Sequence, residues 1–213
     1  MGDSPLRMDH FWFHGTPRKF EAWAAPPVVS ARDPYLMPHS FLSLSANLEY
    51  ARLHAGPHGH VCRVSVSDTA RILDLREKSE GAFRLWRHIR TSRLGRQHAA
   101  LRTYESWHRA CQRGWVLRYF VDGQTPQPFA AEGWQALANA ASTPPALRAE
   151  AQWHLEDFAR TWIEGVIGPA AQMGFDAVIC PELEAQVDRV KPSLQLFAYS
   201  ADLLSEPLWM TAA

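Results

Sequence analysis

The sequence has little of what marks a disulfide-bonded, membrane-spanning or strongly charged protein. Its 213 residues include three cysteines, Cys62, Cys111 and Cys180, which lie far apart and in no metal-binding spacing. Three unpaired cysteines favour a reducing compartment and free thiols buried in the core. No apolar run reaches the roughly 18 residues of a membrane-spanning helix, and the first ten residues lack the apolar stretch of a secretory signal. We therefore expect a cytoplasmic protein without a membrane partner, or one delivered into a target cell without a standard signal peptide.

An excess of either charge is also absent, because 22 Lys and Arg residues balance 22 Asp and Glu residues. The distribution is nevertheless uneven. Nine arginines and a single acid, Glu105, lie between Arg84 and Arg118, whereas acids dominate from 119 to 188. Such asymmetry predicts either internal pairing or an exposed basic face.

Large apolar residues are plentiful, with nine tryptophans and ten phenylalanines, and the length suits one domain with a substantial core. Strand-like segments lie at both ends of the chain, and apolar residues three and four apart predict amphipathic helices between them. This layout predicts an α+β domain, with a sheet core from residues 11–75 and 172–205 and a large helical insertion over 77–168.

The stretch FWFHGT, residues 11–16, leads from a buried strand into polar residues. His14 at a strand end can donate a ring N–H to a ligand hydroxyl, Gly15 lets a flat ligand approach the backbone, and Thr16 can fix the turn. The alternative is a core histidine with satisfied hydrogen bonds beside a turn glycine.

The order of several segments resembles the ADP-ribosyltransferase superfamily, the NAD-using group of the poly(ADP-ribose) polymerases and many bacterial toxins. The segments are FWFHGT at 11–16, FLSLSANLEYARLHA at 41–55, HVCRVSVSDTARILDL at 60–75, GFDAVI at 174–179 and QLFAYSADLL at 195–204. The resemblance implies a split, mostly antiparallel sheet of that type and transfer of ADP-ribose from NAD to a protein or nucleic acid. It also suggests a bacterial toxin or effector, for which an inhibitor or immunity partner would be expected, and it requires no metal.

The resemblance also assigns roles to particular residues. His14 would bind a ribose hydroxyl of NAD, the Gly15 backbone would hold the nicotinamide amide, and Ser45 would support His14. The two ring positions that enclose nicotinamide fall near Ser43 and at His54, with Phe41 or Tyr50 as substitutes. The implied NAD-binding residues are His14, Gly15, Thr16, Ser43, Ser45, Tyr50 and His54.

The catalytic position departs from the family pattern. Alignment of QLFAYSADLL places Gln195 where the family carries a glutamate. A carboxylate there stabilises the positive charge that develops on the ribose, whereas an amide can only bind the hydroxyl. Either Glu182 or Glu184, expected in the preceding loop, supplies the charge, or Gln195 acts alone with reduced activity. A third interpretation is a module that binds NAD or ADP-ribose without turnover.

Arg84, Arg87, Arg90 and Arg93 recur every three residues and predict a basic stripe on a helix. With interleaved aromatic residues, this stripe could bind a nucleic-acid backbone or an acidic protein as the acceptor. The alternative is a solvated face that pairs with the acidic helix at 150–164.

Two further interpretations remain from the motifs. His54, His58, His60 and Cys62 crowd one stretch, which suggests either a zinc site or a polar loop. An RNA 2′-phosphotransferase, a relative that also uses a His-Gly-Thr strand, is ranked last because Arg32 and His39 do not keep its pattern.

Overall fold

The computed structural model describes residues 11–25, 40–92, 95–96, 98–117, 137–138, 140–182 and 192–210. The strands in these ranges are β1 (Trp12–Thr16), β2 (Leu42–Ser45), β3 (His60–Val64), β4 (Ile72–Asp74), β5 (Ala177–Glu182), β6 (Ser193–Ala198) and β7 (Leu208–Trp209). The helices are α1 (Leu48–Ala55), α2 (Glu80–Thr91), α3 (Tyr104–Gln112), α4 (Pro145–Ile167) and α5 (Pro169–Gln172).

All seven strands belong to one sheet, in the order β4-β5-β6-β2-β1-β3-β7. The pairs are antiparallel except that β4 runs parallel to β5. Segments 11–75 and 172–205 therefore share one mostly antiparallel sheet, and the predicted α+β class is confirmed at this level. The two-residue strand β7, which pairs with β3, was not predicted from the sequence.

The sheet is buried on both faces because its strands carry apolar residues on both sides. On one face, Trp12, Leu44 and Leu196 form a cluster with residues of β3 and β5. On the other face, Val178 and Phe197 pack against the apolar sides of the helices that lie between β4 and β5. These helices cover one face of the sheet, so the described helices within 77–168 complete the core.

The helix boundaries follow local side-chain chemistry. Asn47 begins α1 because its Oδ1 accepts the backbone N–H groups of Glu49 and Tyr50. Ser79 and Thr103 cap α2 and α3 in the same way. Helix α4 begins at Pro145, a residue whose fixed φ suits the first turn.

Cys62, Cys111 and Cys180 are free thiols and all three are buried, as the sequence predicted. Burial raises the pKa of Cys62 to about 11, which keeps this thiol protonated and unreactive. Among the described helices, none is both long enough and apolar enough to cross a membrane.

Candidate active site

A cleft of about 350 Å³ lies between the sheet, α1 and α4. It gathers many of the residues that the sequence singled out. The predicted residues in its lining are His14, Gly15, Phe41, Ser43, Ser45, Tyr50, His54, Glu182 and Gln195. Segments far apart in the chain therefore meet at a single site.

Strand register explains this convergence. Phe13 on β1 lies opposite Ser45 on β2, and Ser45 lies opposite Gln195 on β6. Directly paired residues project from the same face of a sheet. A row that crosses three strands thus faces the cleft, and Glu182 on β5, opposite Ser193, lines the cleft on the same face of the sheet.

His14 is held in one orientation by its neighbours. Its Nδ1 lies 3.1 Å from the carbonyl oxygen of Ser43. The rings of Phe20 and Trp23 pack edge-on against the imidazole, with ring centroids 6.0 and 5.5 Å from its own. A carbonyl only accepts, so Nδ1 carries the proton and Nε2 is left as an acceptor. Burial lowers the pKa of His14, the bond to Ser43 opposes that shift, and His54 adds to it. The sequence-based expectation that His14 donates to a ligand is therefore revised. Its Nδ1–H donates to Ser43, so toward a ligand hydroxyl His14 acts as an acceptor through Nε2.

Gly15 and Thr16 have separate roles. A Cβ on Gly15 would lie 1.8 Å from the carbonyl oxygen of Ala51, so only glycine allows α1 to approach β1 this closely. Thr16 Oγ1 donates to the carbonyl of Arg18 at 3.0 Å and fixes the turn, as predicted. Thr16 is outside the lining of the cleft in the part of the chain that the structure describes.

The rings expected to enclose nicotinamide are arranged around Tyr50. Its ring centroid lies 4.7 Å from that of His54 at an angle of 50°. The hydroxyl of Tyr50, a residue only 6% exposed, donates to Glu182 Oε2 at 3.2 Å. Ser43 contributes its carbonyl to His14, and it offers no ring.

The two candidates for the catalytic position lie on adjacent strands. Gln195 is 1% exposed, and its Nε2 donates to Ser45 Oγ at 3.4 Å. Glu182 is the last residue of β5, whereas the sequence placed it in a loop, and its carboxylate faces the same cleft. Glu184 lies outside the described residues.

The wall opposite the sheet was not predicted from the sequence. Ala159, Arg160 and Ile163 of α4 line the same cleft as Ser45 and Glu182. Ile163 packs at the edge of the hydrophobic core. No sequence pattern indicated that this helix covers the ligand-sized space, because that depends on tertiary packing.

The basic stripe lies away from the cleft. Arg84 and Arg87 are exposed on α2, and the Arg90 guanidinium lies 4.6 Å from the ring centroid of Trp86. Arg93 falls outside the described residues. Within the described part of the chain, no ion pair joins Arg84, Arg87 or Arg90 to the carboxylates of α4.

The cluster of His54, His58, His60 and Cys62 does not assemble as a metal centre. His54 lines the cleft, His60 contacts the ring of Trp209, and Cys62 is buried in β3. Across the residues that the structure describes, no three His, Cys, Asp or Glu side chains form a group that could hold a metal ion.

In chemical terms, the cleft offers an imidazole acceptor, a carboxylate, hydroxyl groups and a guanidinium around one ligand-sized space. Such a set can bind sugar hydroxyls and an anionic group, and can stabilise a cation that develops between them. Comparisons of the chain with protein-family models, with curated proteins and with solved structures find no match.

Proposed function

We propose that the protein is an NAD-dependent ADP-ribosyltransferase that modifies a macromolecular acceptor. The supporting observation is that residues assigned to NAD by the resemblance line one cleft, although they come from β1, β2, α1, β5 and β6. Nothing in the linear spacing of His14 and Gln195 requires them to share a site.

His14 has the properties needed to bind a ribose. Its Nδ1–H is fixed on Ser43, so Nε2 accepts a hydrogen bond from a ribose hydroxyl. The lowered pKa keeps the ring neutral, which preserves that acceptor. The volume of about 350 Å³ suits the nicotinamide and its ribose, with the rest of the dinucleotide extending outward.

The reaction breaks the bond between C1′ of the ribose and N1 of nicotinamide. The electron pair leaves with nicotinamide, which becomes neutral, and positive charge develops on the ribose. A carboxylate in a partly dry cleft stabilises that charge. An acceptor nucleophile, or water, then bonds to C1′ and loses one proton.

Arg160 suits the phosphates of the same ligand. It lines the same cleft as Glu182, and a guanidinium binds phosphate oxygens in a bidentate manner. Beyond the cleft, the exposed arginines of α2 provide a basic surface for the acceptor.

Nicotinamide release from NAD tests the proposal, with the mass of cell components exposed to protein and NAD as a second measurement. We expect release above the uncatalysed rate and a mass increase of one ADP-ribose unit on the acceptor. His14→Ala should weaken NAD binding by about 1–2 kcal/mol, because one hydrogen bond is lost. Replacement of His58, which is exposed on a turn, is the matched control.

One observation favours a second function, a module that binds NAD or ADP-ribose without turnover. Gln195, at the position of the family's glutamate, is neutral and already bonded to Ser45. In that case calorimetry would detect binding of ADP-ribose, and nicotinamide release would stay at the uncatalysed rate.

A further inference from the structure

A row of hydrogen bonds with a fixed direction runs along the sheet beside the cleft. Gln195 Nε2 donates to Ser45 Oγ at 3.4 Å, and the backbone N–H of Asn47 donates to the same oxygen at 3.0 Å. A serine hydroxyl has two acceptor positions and one proton. These two donors therefore fill both acceptor positions of Ser45.

Ser45 must then donate its own proton, and Ser193 Oγ lies 2.9 Å away. Ser193 accepts this bond and keeps its own proton for another group. Ser193 lies directly opposite Glu182 in the β5–β6 register, so both side chains project from one face of the sheet. The row thus leaves the hydroxyl proton of Ser193 on the face of the sheet that also carries Glu182.

Glu182 receives a donor from the helix side. The hydroxyl of Tyr50 donates to Glu182 Oε2 at 3.2 Å. Among the described residues that line the cleft, Glu182 is the only one with a carboxylate. Gln195 is buried, and its side-chain amide donates the hydrogen bond to Ser45 that begins the row.

We propose that Glu182 is the catalytic carboxylate of this cleft, and that Gln195 is a positioning residue that acts on it through Ser45 and the hydroxyl of Ser193, which donates to Glu182 in the reacting complex. This inference rests on the proposed function. When the bond between C1′ and nicotinamide breaks, the electron pair leaves with nicotinamide and Glu182 faces the cation on the ribose. The charge that the family carries on the strand of Gln195 is thereby supplied from the neighbouring strand β5.

The first test compares nicotinamide release and NAD affinity in Glu182→Gln. We expect release to fall about a hundredfold, because a carboxylate aimed at developing charge acts mainly in the transition state. The dissociation constant of NAD should change little. Glu206→Gln, an exposed glutamate outside the cleft, is the matched control and should leave both values unchanged.

The second test reverses the row with Gln195→Glu. A carboxylate accepts only, so Ser45 would donate to it and Ser193 would turn its own proton toward Ser45. Glu182 would lose that donor and gain a neighbouring negative charge. We expect nicotinamide release to fall, whereas Gln172→Glu, at an exposed position on α5, should leave it unchanged.

A buried charge at position 195 can itself prevent folding, so a milder variant completes the design. Ser193→Ala removes the last donor and should lower kcat about tenfold at unchanged KM, since one hydrogen bond to a charged group is lost. Ser193→Thr restores the hydroxyl and should restore kcat. A purely structural role of Ser193 would lower thermal stability and leave kcat of the folded fraction unchanged, which would contradict the positioning role.

The outcomes separate this inference from the proposed function. Release that rises in Gln195→Glu, or that is unchanged in Glu182→Gln, would overturn the inference while the wild-type protein still cleaves NAD. A wild-type protein that neither binds NAD nor releases nicotinamide would overturn both.

Discussion

The imidazole of His14 donates from Nδ1 to the main-chain carbonyl of Ser43, across the gap between β1 and β2. This bond selects one tautomer and directs Nε2 away from Ser43. Phe20 and Trp23 pack edge-on against the same ring. The same neighbours bury the ring. They therefore both fix the orientation of His14 and lower its pKa.

Stability should therefore depend on pH through His14. Burial lowers its pKa in the folded state below the ordinary value of 6.5, so the unfolded chain takes up the proton first as the pH falls. This contribution to stability is complete above about pH 6.5 and is lost as the pH falls through the lowered value. Urea denaturation at about pH 7.5 and pH 5.5 should show a larger loss for wild type than for His14→Gln. An equal loss in both proteins would contradict it, and His58→Gln is the surface control.

A pair of glycine substitutions should separate close packing from helix propensity. Gly15→Ala places a Cβ 1.8 Å from the carbonyl oxygen of Ala51, which pushes α1 away from β1. We expect the free energy of unfolding to fall by about 3 kcal/mol or more. Gly165→Ala meets nothing within 4 Å inside α4 and should raise it by about 0.5–1 kcal/mol. Denaturation curves of both variants measure the contrast, and a neutral Gly15→Ala would mean that α1 can shift freely.

Under the proposed function, the exposed arginines of α2 should affect the acceptor and leave NAD cleavage intact. Arg84→Glu with Arg87→Glu should weaken modification of a nucleic-acid acceptor and reduce the salt dependence of its binding by about two units of log–log slope. Nicotinamide release without acceptor should be unchanged. Arg63→Glu with Arg71→Glu, at exposed positions on and near the sheet, gives a control with the same change in net charge. Equal loss of both activities would mean that Arg84 and Arg87 maintain the fold.

The hydroxyl of Tyr50 should affect the rate of nicotinamide release more than the affinity for NAD. Tyr50→Phe keeps the ring beside His54 and removes the hydroxyl that holds Glu182. We expect nicotinamide release to fall about tenfold, the effect of one lost hydrogen bond of about 1.4 kcal/mol. Parallel measurement of NAD affinity should show little change. A large loss of affinity at unchanged kcat would instead indicate that the hydroxyl contacts the ligand directly.

Much of the sheet could be predicted because its segments are either apolar throughout or alternate in polarity, and end at turn residues. The segments FWFHGT and FLSLS contain β1 and β2. The spacing of Phe83, Trp86 and Ile89, three residues apart, is that of the buried side of α2. The position of Glu182 on a strand could not be predicted, because β5 extends through Pro181, a residue that usually ends a strand. Arg160 was missed for a different reason. Periodicity identifies the apolar side of a helix, but it does not show which polar residues of that helix line a cleft.

The parallel pairing of β4 with β5 has a consequence for how the chain folds. Ile72 pairs with Ala177, and the whole crossover must close before that contact forms. Contacts between residues so distant in sequence carry a large loop-closure entropy, so we expect this pairing to form late. Glu182 reaches its place only when β5 is docked, and a partly folded chain therefore has no complete cleft. A ligand of the cleft would bind the native state alone, and a hundredfold excess over its Kd would add about 2.7 kcal/mol to global stability.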